Sequence, residues 1–66
     1  MELHNYRISV NYFSDVIVTN KDYYKAYYAR GICYEKLGDI INAERDYRTA
    51  LRIFPDYQDA RSQLNN

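Results

Sequence analysis

Sixty-six residues make one domain at most, near the lower limit at which a chain buries a self-sufficient core. Nine basic residues balance nine acidic ones, and this zero net charge speaks against a nucleic-acid or anionic-membrane footprint, which would show a basic excess. A single cysteine, Cys33, excludes an intrachain disulfide framework and a multi-cysteine zinc site.

The first predicted element spans residues 5–19. Tyr6, Val10, Phe13 and Ile17 recur at steps of four, three and four, which is a helical spacing. The run Val16 to Thr19 has β propensity, but the longer pattern that contains it is helical. The polar stretch Thr19-Asn20-Lys21-Asp22 breaks it, and Asp22 is placed to cap the next helix, over 22–37. Gly38-Asp39 is a clear stop: Gly38 suits a positive φ just past a helix end, and Asp39 suits the cap of the helix that follows. That helix covers 40–54, with Ile40, Ala43, Tyr47, Ala50, Leu51 and Phe54 on one face and Glu44, Arg48 and Arg52 at four-residue steps on the other. Pro55 cannot continue it. Asp56 offers a cap to a short last helix over 57–65.

The chain also resembles itself. Asp22-Tyr23 matches Asp56-Tyr57, 34 residues further on. At the same offset Ala26 falls on Ala60, Phe13 on Tyr47, Ile17 on Leu51, Ser9 on Ala43, Tyr6 on Ile40 and Asn5 on Asp39. Small meets small, ring meets ring and cap meets cap, and a period near 34 belongs to helical-hairpin repeats.

On these residues the chain resembles a tetratricopeptide repeat. Tyr27, Gly31 and Tyr34 fall on the family's first-helix places. Ala43, Tyr47, Ala50 and Pro55 fall on those of the second helix, and Gly38-Asp39 falls on the turn between them. Arg30 departs from the pattern, standing where the family has Leu; its stem would cover apolar surface while its guanidinium reaches water. Ser9, Val16 and Lys21 depart in the partial repeat before it, replacing two alanines and the proline. The full match covers Tyr24 to Tyr57. The fold implied is all-α: an antiparallel helix-turn-helix repeat, a fragment of a superhelix, with three main helices and a short C-terminal one. It would be a second helix of a partial repeat, one full repeat and the start of another, whereas at least about three such units are normally stacked.

At about 100° per residue the tyrosine-rich segment then divides into three arcs. Tyr27, Gly31 and Tyr34 should meet the helix after Asp39, with Gly31 permitting close approach. Ala26, Cys33 and Leu37 should meet the helix that carries Phe13. The third arc holds Lys25, Tyr28, Ile32 and Glu35, with Lys36 at its edge, and the resemblance makes it the lining of a concave groove. Tyr6, Tyr27, Tyr34 and Tyr47 read as core. Tyr28 reads either as a groove contact or as a ring lying on its neighbours, and Tyr23 and Tyr24 remain open. Tyr12 and Tyr57 lie near the ends, where another copy would cover them.

No catalytic constellation is expected. His4 stands alone near the terminus, Cys33 falls on a packing arc, and Asp22, Asp39 and Asp56 are separated by whole helices. With only Gly31 and Gly38 there is no phosphate-binding loop. Arg45, Arg48 and Arg52, with Arg61 beyond the turn, form a stripe that reads as a solvated face diluted by Glu44 and Asp46. The expected function is non-enzymatic, without metal or cofactor: a protein-interaction module that holds a partner's peptide or helix on Lys25, Tyr28, Ile32, Glu35 and Lys36. Tyr28 and Ile32 replace the polar residues with which the family's chaperone-tail binders clamp a terminal carboxylate, so that specialisation is not expected. Self-association, including a domain swap, would cover the unfinished ends. The alternative is a helical-repeat RNA binder that stacks bases on its rings. MELHNYRISV lacks the charge pattern of a secretory leader and no apolar run spans a bilayer, so a membrane partner is not expected and a cytoplasmic setting is.

Overall fold

The computed structural model describes residues 3–65, and these residues form four helices: α1 (Leu3–Thr19), α2 (Tyr24–Lys36), α3 (Ile40–Ile53) and α4 (Gln58–Asn65). No strand occurs among the described residues. The all-α architecture of stacked helical hairpins is therefore the one the sequence predicts, and Val16 to Thr19 are helical. Consecutive helices pack on one another: α1 on α2, α2 on α3, and α3 on α4.

The turn between α2 and α3 sets the hairpin. Gly38 has φ +83, and no atom would crowd a side chain there, so the backbone conformation alone selects glycine. The Asp39 N–H donates to the Tyr34 carbonyl at 2.9 Å and the Gly38 N–H to the Glu35 carbonyl at 3.0 Å. This six-to-one and five-to-two pair of bonds is a Schellman closure, and it satisfies carbonyls that the helix end would otherwise orphan. Asp39 then starts α3: its carboxylate accepts the Asn42 backbone N–H at 3.3 Å and the Asn42 side-chain amide at 2.7 Å. The next stop is set by Pro55, which drives Phe54 to an extended conformation, φ −134 and ψ 91.

Asp22 does not cap α2. The residue before that helix is Tyr23, whose side chain makes no capping bond. A turn closed by the Tyr23 N–H on the Asn20 carbonyl delays the helix start by one residue and leaves Asp22 in solvent.

The core lies where α2, α3 and α4 meet. Ala43, Tyr47, Ala50 and Ala60 are buried there, and Tyr27, Tyr34, Leu51 and Leu64 pack around them. Gly31 is the point of closest approach. A Cβ built on it would stand 2.6 Å from Cε1 of Tyr47 and 3.2 Å from the Ala43 carbonyl oxygen, so α3 can lie this near only against a glycine. On its other side α2 sets Ala26 and Cys33, both buried, toward α1, whose own buried residue is Ile17. The rings clamp the helix ends together: Tyr24 and Tyr57 meet edge to face at 4.9 Å, Tyr28 and Tyr57 at 5.3 Å, and Phe54 lies 4.9 Å from Tyr24. Tyr57 is thus half-buried by its own chain.

Candidate functional site

The five residues of the third arc share one face of α2. Lys25, Glu35 and Lys36 are exposed, and Tyr28 and Ile32 are half-buried. They sit at steps of three, four, three and one, so about three turns of helix present them as a single strip. The two apolar members are anchored from below. Tyr28 leans on Tyr47 at 5.9 Å and on Tyr57, and Ile32 packs against the core cluster. Anchoring on one side and water on the other gives rigid side chains with free area, the condition under which an aromatic ring contributes to binding at low entropic cost.

Glu35 has a second role. Its Oε1 accepts the Tyr47 hydroxyl at 2.6 Å, which ties the rim of the strip to the buried centre of the hairpin. Burial first, and then this bond, push the Tyr47 phenol above its ordinary value of 10.0. Tyr57 is also raised, chiefly by burial. Burial likewise raises the Cys33 thiol, against an opposing hydrogen bond with Ser9, which makes it a poor nucleophile at neutral pH.

Arg30 does not send its guanidinium to water as its place on the helix suggests. It turns inward between α1 and α3. Nε and Nη2 donate to the two oxygens of Asp46, both at 2.8 Å, and Nη1 donates to Ser14 Oγ at 3.0 Å. The rings of Tyr27 and Tyr34 flank the cation at 5.8 and 5.7 Å. Asp46 is 2 % exposed, so it does not dilute the outer arginine stripe; of the two acids expected there, only Glu44 does. The forked, two-point pairing supplies what a buried carboxylate needs, and the hydrogen bond to Asp46 holds Arg30 charged against the penalty of burial. One signal in the sequence marks this site: by helical spacing Asp46 falls inside the apolar arc of Ala43, Tyr47 and Ala50, where an acid is out of place unless paired.

The remaining candidates stay apart. His4 is exposed in the first turn of α1, and no group of three or more metal-binding side chains gathers among the described residues. Arg45, Arg48 and Arg52 are exposed on the arc of α3 opposite its buried one, and Arg48 approaches Glu44 at 3.9 Å. Arg61 donates to the Pro55 carbonyl. The tyrosine cluster and the arginine stripe therefore lie on different sides of α3. Among the described residues no helix is long and apolar enough to cross a membrane.

A family model described as tetratricopeptide repeat matches residues 24–57, which are α2, the turn and α3 with their flanks. Neither a curated protein nor a solved structure matches the chain significantly.

Proposed function

The chain belongs to the tetratricopeptide repeat family, whose repeats serve as protein–protein interaction modules, and on that premise we propose that it holds a peptide or helix of a partner protein on the α2 strip of Lys25, Tyr28, Ile32, Glu35 and Lys36. What supports this reading is the pairing of Tyr28 and Ile32, half-buried and braced from beneath, at the centre of a strip whose edges are charged and exposed. An apolar anchor between the rings and the isoleucine, with Lys and Glu selecting the flanks, is the chemistry of a short amphipathic segment. Self-association through the outer faces of α1 and α4 belongs to the same reading. The single buried thiol suits a reducing, cytoplasmic setting.

The reading is tested by backbone amide NMR of the chain titrated with peptides selected against it from a random library. Shifts should concentrate on α2 around Tyr28 and Ile32 and spare Arg45, Arg48 and Arg52. Shifts centred on the arginine stripe, or saturable binding of RNA that weakens steeply with salt, would assign the function elsewhere. Peptides ending in a chaperone-type C-terminal carboxylate should not saturate, because the strip has apolar side chains where such a clamp requires polar ones.

A further inference from the structure

Among the described residues α1 is covered on one side only. The 34-residue offset makes it the counterpart of α3, with Ser9, Tyr12, Phe13 and Val16 in the places of Ala43, Asp46, Tyr47 and Ala50. On α3 that face receives α2: Gly31 lies against Tyr47, and Arg30 reaches Asp46. On α1 only the Tyr12–Val16 part of that face lines an apolar depression of about 520 Å³, with Tyr23 and with Asp15 on its wall, while Ser9 is turned to Cys33 of α2. A smaller hollow of about 140 Å³ shares Tyr12, Val16 and Tyr23. Tyr12 is 62 % exposed. At the other end α4 is the counterpart of α2. It docks on α3 through the buried Ala60 and carries Arg61 and Leu64 where α2 carries Tyr27 and Arg30.

The two ends suit each other and not the middle. At the internal junction the facing places hold Arg30 and Asp46; at the ends they hold Leu64 and Tyr12. Leu64 set against Asp46 would leave a buried carboxylate unpaired, and Arg30 set against Tyr12 would lose its two-point acceptor. At this pair of places apolar meets apolar only when α4 of one copy seats on α1 of another, with Arg61 at the edge of the contact and Asn65, in the place of Gly31, holding the two helices further apart than α2 and α3. We propose that the chain associates head to tail in this way, with a second copy filling the Tyr12–Val16 face and Leu64 lying on Tyr12. The proposal rests on the self-association reading above and names its two surfaces. Donor and acceptor faces differ, so the contact is heterologous and growth does not close at two copies.

Sedimentation equilibrium over about a hundredfold range of concentration tests this. The average mass of the unsubstituted chain should climb past two copies without a plateau. Tyr12→Asp alone and Leu64→Arg alone should each weaken association by more than about tenfold. An equimolar mixture of the two should regain it, because the intact Leu64 of one variant then meets the intact Tyr12 of the other. Circular dichroism separates lost association from lost fold, and the reversed pair, Tyr12→Lys with Leu64→Glu, repeats the test should either variant fail to fold. A plateau at two copies, indifference to both substitutions, or a mixture that stays monomeric overturns the head-to-tail contact while self-association stands. A chain that is single at every concentration overturns both and leaves the Tyr12 face to another protein.

Discussion

Arg30 occupies a place that the family fills with Leu, and the obvious substitution is to restore it. The structure predicts that Arg30→Leu harms the protein. Its side chain is 20 % exposed and that of Asp46 3 %, so removal of the cation strands a carboxylate away from water. Breaking one side of such a pair costs about 3–5 kcal/mol, and the partial exposure of Arg30 places the expected loss near the lower figure. The double variant Arg30→Leu with Asp46→Ala should recover most of the loss, since no charge is then left without its partner. Urea unfolding of the three proteins reads the differences directly. Arg30→Leu more stable than the parent would show that the pair does not govern this junction. The sequence does not reveal the pairing of these two residues, because they lie 16 positions apart and meet only once α2 and α3 have closed.

The helices themselves are legible in the order of the residues, and so is one of their junctions. Apolar residues at three- and four-residue steps give α1 and α3, and Gly38-Asp39 gives the turn, because each is decided by local chemistry. The start of α2 is not legible in the same way: Asp22 and Asp39 look equally fit as caps, and the turn on Asn20 chooses between them. The strip of Lys25, Tyr28, Ile32, Glu35 and Lys36 follows from helical spacing, whereas the bond from Tyr47 to Glu35 depends on how two helices are set against each other. At the turn, Gly38→Ala should lose about 1–2 kcal/mol from the positive φ alone, since nothing within 4 Å would clash. Asp39→Ala should lose about 1 kcal/mol through the cap. In a domain of this size each kcal/mol lowers the thermal midpoint by about 4–8 °C. The two changes share one turn, so their sum should differ from the double variant. A Gly38→Ala protein that melts higher would mean that restricting the unfolded chain outweighs the strain.

As a whole the molecule is a slab, 31 by 30 by 15 Å, in which every helix reaches water. That shape explains why so few side chains are buried and why tyrosine, with its polar tip, is the favoured ring. It also sets the response to alkali. The Tyr47 and Tyr57 phenols and the Cys33 thiol all hold their protons above the ordinary values of 10.0 and 9.0. The unfolded chain therefore sheds these protons first as pH rises. The stability they confer is fully present below about pH 9 and declines as pH climbs past about 10. Urea midpoints taken at neutral pH and above pH 10 should show that decline, and Tyr47→Phe should flatten it; an equal slope in both proteins would absolve Tyr47. A last consequence follows from the bridge of Arg30, Asp46 and Ser14. The 34-residue offset places Arg48 where Ser14 stands, so a tandem duplication of residues 24–57 would give the second Arg30 its own Asp46 but no hydroxyl acceptor in the preceding unit. A copied repeat would thus keep the carboxylate half of the bridge and lose the half that its present neighbour supplies.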